Sequence, residues 1–170
     1  PGSLFDQALV AQRQTDFEFV ATTCMHFEPE HFQHLAGLIC YYNSRKFHYL
    51  YVSCDDEVGK CLGIMSCEAE PSLAVTFPAQ HERVPLPSDR PVWLRATVRD
   101  AQLTFSWSLN GDDWLDFAAE LDHSLLSDEA GIVDGEQFTG TFVGMTCNDL
   151  TGQRRHADFA HFTYRGEDER

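Results

Sequence analysis

The sequence is short of positive charge. Twelve Lys and Arg stand against 27 Asp and Glu, giving a formal net charge of −15 at pH 7. That balance repels nucleic acid phosphates and anionic membrane surfaces, so both are excluded as partners. No apolar run approaches the ~20 residues that cross a bilayer. No basic segment followed by an apolar stretch marks a signal peptide. Helical patterning is scarce and confined to residues 3–12 and a short turn at 122–127. Repeats and low-complexity linkers are missing. So are the G-x-S-x-G elbow, the phosphate loop and the dinucleotide fingerprint. His31 and His34 have no C-x-x-C pair beside them, which removes the usual grounds for zinc. The carboxylate pairs Asp55/Asp56, Asp112/Asp113 and Glu28/Glu30 are adjacent or lie in turns. Glycoside hydrolysis needs two carboxyl groups facing each other across a cleft, roughly 5–9.5 Å apart. The chain therefore reads as non-catalytic and as requiring no cofactor. Asp149 and Asp158 are the candidate loop oxygen donors for a structural calcium.

What is present is strand. The 170 residues, 43% of them hydrophobic, suffice for one domain with a sizeable core. In residues 16–27 (DFEFVATTCMHF), Phe17, Phe19, Ala21, Thr23 and Met25 alternate with a second face, the period of a half-buried strand. Further runs follow at 35–42, 46–54, 60–68, 92–99, 102–108, 138–147 and 157–165, with turn residues between them. In 92–99, Leu94, Ala96 and Val98 oppose Trp93, Arg95, Thr97 and Arg99. Asn110-Gly111 predicts a type I′ hairpin turn, with positive φ at both residues. The Pro-rich stretch 71–91 suits irregular edge structure. Many short strands with little helix predict an all-β sandwich or jelly roll. Residues 1–3 read as a cloning scar, 4–15 as a connecting segment with apolar Leu4, Phe5, Leu9 and Val10, 16–166 as the module and 167–170 as a tail. The six cysteines follow strand parity rather than a disulfide framework, so free thiols are expected. Together with the missing signal they favour a cytoplasmic location.

Aromatic residues carry the functional signal. Tyr41, Tyr49 and Tyr51 lie on consecutive strand runs, and Trp93, Trp107 and Trp114 follow. Tyr and Trp combine an apolar plane with a polar tip, which suits the C–H faces and hydroxyls of a sugar. Tyr49 and Tyr51 are two apart and point the same way, about 7 Å apart at the ~3.4 Å rise of a strand. Cross-strand pairing could bring Tyr41 alongside, with His48 and Asn148 as hydroxyl partners. The competing reading puts these tyrosines in the core beside Phe47, with His48 and Lys46 outside. Phe17, Phe19, Phe105 and Trp107 read as core.

Residues 27–60 (FEPEHFQHLAGLICYYNSRKFHYLYVSCDDEVGK), with 8–19 (ALVAQRQTDFEF) and 138–164 (FTGTFVGMTCNDLTGQRRHADFAHFTY), resemble the C-terminal β-sandwich of family 43 β-xylosidases. The match runs in order over nearly the whole chain. It also resembles what is catalogued as the family 91 carbohydrate-binding module. The resemblance implies a concanavalin A-like jelly roll of two antiparallel sheets. It also implies a five-bladed propeller before it in the parent enzyme, carrying the catalytic carboxylates. On this reading the chain is a non-catalytic module for xylan or xylo-oligosaccharides. Alternatively it is a lid that completes the propeller's pocket without sugar affinity of its own. The family's pocket-closing loop carries two adjacent Phe residues. The matching positions here are Gln137 and Phe138, so the first aromatic is replaced by a polar residue.

Overall fold

The computed structural model describes residues 8–68, 75–76, 83–128, 130 and 140–166. Nearly all of its regular structure is strand, in two antiparallel sheets. Sheet A is built from β1 (Ala8–Arg13), β3 (His34–Asn43), β4 (Lys46–Asp55), β5 (Gly59–Glu68), β6 (Val75–Thr76), β7 (Val84–Pro85) and β12 (Phe142–Asp149). Its order is β1-β12-β3-β4-β5-β6, with β7 also paired to β5. Sheet B comprises β2 (Phe19–His26), β8 (Val92–Arg99), β9 (Gln102–Ser108), β10 (Leu115–Asp116), β11 (Leu121–Asp122) and β13 (Asp158–Gly166). Its order is β10-β9-β8-β2-β13, with β11 on β9. Among the described residues one 3-10 turn, His123–Leu126, is capped by the Asp122 side chain, which accepts from the Ser124 amide.

The sheets close on one core. From sheet A come Leu38, Cys40, Leu50, Val52, Leu62 and Ile64; from sheet B come Phe19, Ala21, Met25, Leu94, Ala96, Val98 and Phe105. Each large side chain so buried contributes roughly 1.5–3 kcal/mol. The outer faces differ. That of sheet A carries a second buried cluster, including Leu35, Ile39, Phe47, Tyr49, Tyr51 and Cys67. That of sheet B is a hollow. The sequences match this difference: LAGLICYY in β3 is apolar on both parities, whereas WLRATVR in β8 alternates between buried positions and half-exposed or exposed ones. A strand covered on both faces has no polar side to show. All six cysteines are free thiols, and burial pushes the Cys40 thiol far above its ordinary range.

Three local expectations give way. Residues 8–12 of the segment read as helical form β1, which pairs with β12 from Ala8↔Cys147 to Arg13↔Phe142. The part read as a connection thus supplies an edge strand, since the neighbour offers the hydrogen bonds a short helix would have to make alone. Leu9 packs against the outer cluster of sheet A while Val10 is 70% exposed; Leu4 and Phe5 lie outside the described residues. Phe17 is 94% exposed because the strand begins only at Phe19, so the alternation does not extend back to it. Gly111 has φ +84°, but Asn110 is not in the left-handed region. Asn110 instead organises a wider loop, its Oδ1 accepting from the amides of Asp112 and Asp113 at 2.9 Å each.

The tight I′-like hairpin sits elsewhere. Asp100 and Ala101, with φ of 48° and 64°, join β8 to β9 across the Arg99↔Gln102 pair. An alanine held left-handed costs about 1 kcal/mol. We therefore expect Ala101→Gly to stabilise the protein by roughly 0.5–1 kcal/mol, the range of such backbone exchanges. A urea titration reads this as a raised midpoint at constant slope. An unchanged or lowered midpoint would show that Ala101 is not strained.

Candidate functional site: the outer hollow of sheet B

β2, β8 and β13 turn their non-core parity outward, and the hollow they form has a volume of about 620 Å³. The rows are set by strand register. Trp93 lies opposite Cys24, Arg95 opposite Thr22 and Thr97 opposite Val20. Beyond β2 come His161, Thr163 and Arg165, opposite Cys24, Thr22 and Val20. A bulge between Phe159 and His161 puts these three on the hollow's side. It also returns Phe162 and Tyr164 to the core edge.

Two tryptophans shape one end. Trp93 stands on β8, and Trp114 is brought over the sheet by the loop between β9 and β10. Ser108 Oγ accepts from the amides of Asn110 (3.2 Å) and Gly111 (3.0 Å), which anchors that loop. Trp114 Nε1 donates to the Gly111 carbonyl at 3.0 Å. A Cβ on Gly111 would come within 3.0 Å of Trp93 Nε1, and its φ of +84° also disfavours any side chain. Gly111 is thus the spacer that lets both indoles share one wall. The Arg95 guanidinium lies over the Trp114 ring, 3.5 Å from its centroid. Arg95 Nε is buried and has no hydrogen-bond partner. Burial lowers the Arg95 pKa, opposed by the Asp116 charge nearby.

Of the ligand residues expected from sequence, four gather on the other sheet. Tyr41, Tyr49, Tyr51 and Asn148 share the outer side of sheet A, but Tyr49 is 0% and Tyr51 3% exposed. They form no open platform. Their rings lie 5.6 Å apart within the second cluster. The Tyr49 hydroxyl donates to the Thr146 carbonyl at 3.4 Å, and Arg83 Nη1 donates to the Tyr51 hydroxyl at 3.0 Å. Burial raises both phenol pKa values. Gly63 makes room for Tyr51, since a Cβ there would lie 2.8 Å from the Tyr51 hydroxyl. Tyr41 is half-buried beside them, and Asn148 donates to Thr146 Oγ1 at 3.3 Å.

His48 takes the opposite parity and lies in the sandwich interior, so it is no hydroxyl partner at the surface. Its Nε2 donates to the Asp122 carbonyl at 3.2 Å, leaving Nδ1 to accept from Ser66 Oγ at 2.8 Å. Lys46, the other residue the core reading put outside, is also buried, with Nζ 5.2 Å from the Tyr42 ring centroid.

Asp149 is occupied by its own loop. It accepts from the Thr151 amide (2.7 Å) and hydroxyl (2.6 Å) and from the Arg155 amide (3.0 Å). These bonds hold its carboxyl well below the usual range. Asp158 opens β13 opposite His26. Among the described residues no three His, Cys, Asp or Glu gather to hold a metal. Gln137 and Phe138 lie outside the described residues.

A second hollow, of about 520 Å³, lies where Gly140 and Thr141 lead into β12. The exposed ring of Phe17 lines it, with Asp16, His123 and Asp128. His123 is 6% exposed and its Nε2 lies 2.9 Å from Gln14 Oε1. The Gln14 amide nitrogen donates to the Asp16 carbonyl at 2.8 Å, which fixes the oxygen toward the imidazole. Nε2 is therefore the protonated nitrogen, and Nδ1 is buried with no partner. The pKa falls to about 4, by burial first and the neighbouring His48 second.

Two twisted antiparallel sheets, one with an open outer face, define a β-sandwich domain of concanavalin A-like type. Residues 1–165 match the family described as "Beta xylosidase C-terminal Concanavalin A-like domain", and the chain belongs to that family. It is 40% identical over 169 residues to xylosidase/arabinosidase 43B of Humicola insolens, covering 96% of this chain and 31% of that protein. It is 36% identical over 163 residues to the β-xylosidase of Bacillus subtilis strain 168, covering 96% and 30%. Its fold superposes on the crystal structure of xylan β-1,4-xylosidase from Bacillus halodurans C-125 with a TM-score of 0.89 and 32% identity, over 96% of this chain and 30% of the other. The chain thus spans about 30% of the length of these relatives. It corresponds to their non-catalytic C-terminal domain, the catalytic domain being separate.

The sequence names Trp93 and Trp114 among the sugar-suited aromatics but does not bring them together in one hollow. The polar parity of β8 was legible as Trp93, Arg95, Thr97 and Arg99.

Proposed function

We propose that this domain binds xylan or xylo-oligosaccharides on behalf of a family 43 β-xylosidase, and that the sheet B hollow is the binding face. The observation that carries this reading is the pairing of Trp93 and Trp114 over Gly111, in an open hollow ringed by Thr22, Thr97 and Thr163. Indole planes offer stacking area, and hydroxyls and guanidinium groups offer partners for sugar hydroxyls. On this reading the module is a carbohydrate-binding module of the family 91 kind. A xylan chain is the ligand, and the propeller catalytic domain of the parent enzyme is the partner.

Affinity electrophoresis in soluble xylan, followed by calorimetry with xylohexaose, tests it. Trp93→Ala and Trp114→Ala should each weaken binding by roughly tenfold or more, taking 1–3 kcal/mol per stacked ring as the guide. Unretarded migration of the wild-type chain in xylan would overturn the reading.

A specific observation favours the lid reading as the second one. The fully exposed Phe17 borders the hollow from which Gly140 and Thr141 lead back along the chain to Gln137 and Phe138. Phe17 on this reading belongs to the surface that meets the parent's catalytic domain. On that reading the domain completes the parent's pocket with Phe138 and shows no sugar affinity alone.

A further inference from the structure

The charge on the sheet B hollow runs against that of the chain. The molecule carries 27 acidic residues and a net charge of −15. Yet among the described lining residues of this hollow stand Arg95, Arg99 and Arg165, faced by one carboxylate, Glu18. Asp116, whose charge acts on Arg95, is engaged by the Ser106 hydroxyl at 2.7 Å. Arg99 and Arg165 are exposed and make no ion pair among the described residues. Arg95 is the most constrained of the three. Its plane is fixed against Trp114 and its buried Nε has no acceptor. A buried N–H without a partner is costly, and a guanidinium fork is shaped to take a carboxylate. An uncharged xylose backbone gives three arginines on one face no electrostatic work. A carboxylate-bearing sugar does.

The geometry points to an acidic-sugar subsite. The hollow takes a xylo-oligosaccharide bearing a uronic acid substituent, with sugar rings against Trp93 and Trp114, the carboxylate on Arg95, and Arg99 and Arg165 drawing it in. This rests on the sugar-binding reading and adds a chemical preference to it. Arg95 is two residues from Trp93 on the same side of β8, about 7 Å along the strand. A carboxylate carried as a side branch of a stacked ring can therefore reach it.

Calorimetry with the 170-residue chain tests this with three ligands of equal backbone length: neutral, bearing one glucuronic acid, and bearing its methyl ester. The acidic ligand should bind roughly tenfold more tightly than the neutral one at low salt, the size of one charge-assisted hydrogen bond. Added salt should shrink that margin as it screens Arg99 and Arg165. The ester should bind like the neutral ligand. Arg95→Gln should abolish the margin between acidic and neutral ligands. Arg165→Gln, at an exposed position, should reduce the margin in part, and it carries the test should Arg95→Gln fail to fold. Equal affinity for acidic and neutral ligands overturns the subsite and leaves the sugar-binding reading standing. So does a preference that the ester retains. No affinity for any of the three overturns both.

Discussion

Alanine in place of Tyr49 is expected to cost about 3–5 kcal/mol, the range for removing a large buried aromatic side chain. Tyr49 is 0% exposed, packs within the outer cluster of sheet A and lies 5.6 Å from the Tyr51 ring. Neighbouring rings cannot collapse into the space it leaves, because β4 is paired around Tyr49 on both sides, to Ile39 of β3 and Met65 of β5. Domains of this kind hold roughly 5–15 kcal/mol in total, so the variant should stay folded only in part or unfold at mild denaturant. Tyr49→Phe keeps the ring and removes only the hydroxyl's hydrogen bonds, to the Thr146 carbonyl at 3.4 Å and to the Asn148 side chain, and should cost about 1–2 kcal/mol. Urea midpoints of the two variants separate packing from hydroxyl chemistry. A well-folded Tyr49→Ala protein with a near-native midpoint and lowered sugar affinity would mean that the ring is a ligand platform after all.

Acidification from pH 7 to 4 should remove about 3 kcal/mol through His123. The imidazole titrates near 6.5 when unperturbed and at about 4 in the fold, and each pH unit of difference is worth 1.36 kcal/mol. The folded value is the lower one, so the unfolded chain takes up the proton first. Stability is full above pH 6.5, falls as pH drops toward 4, and has no further His123 contribution to lose below that. The cause is local. Gln14 holds Nε2, and protonation would place a second N–H on Nδ1, which has no acceptor. Phe19 packs an edge against the ring at 5.6 Å, and the Asp122 charge only partly offsets burial. His48, buried nearby with its own pKa lowered, acts in the same direction. Asp149 and Asp55, both lowered by hydrogen bonds, add their losses only in the carboxylate range further down. His123→Gln should flatten the limb between pH 6.5 and 4 in a series of urea midpoints. An equally steep limb in that variant would falsify the assignment.

Most of the sandwich was legible because its strands are punctuated. Turn chemistry at Asn43-Ser44-Arg45 and Asp55-Asp56-Glu57 separates β3, β4 and β5, and the sequence-read bounds agree with the structure to within a residue or two. Parity was harder. In FHYLYV every residue can pack, so period alone does not say which side meets the other sheet. The structure turns His48, Leu50 and Val52 inward and buries Tyr49 and Tyr51 on the outer face. A polar residue on the inner side, His48, is what hides this parity in the sequence. His48 is accepted there because Ser66 and the Asp122 carbonyl satisfy both ring nitrogens. The tryptophan hollow escaped for another reason. Trp93 declares itself by alternation, but Trp114 reaches it only through a loop whose course Asn110 and Gly111 set, and no periodicity reports a loop's course. Arg165 required the bulge after Phe159, which shifts parity without a sequence mark.

The strand order also dictates when the domain can become stable. β3, β4 and β5 form consecutive hairpins whose contacts are local, as do β8 and β9. Both sheets, however, recruit strands from the far end of the chain: β12 slots between β1 and β3, and β13 lies along β2. A nascent chain emerging from a ribosome can therefore assemble the meander early, yet sheet A is incomplete until residue 149 has been made and sheet B until residue 166. High contact order of this sort places folding in the range of roughly milliseconds to seconds. Until then the seam between β1 and β3 stays open, and in that interval a chaperone, or the β12 of another molecule, would find an unpaired edge waiting.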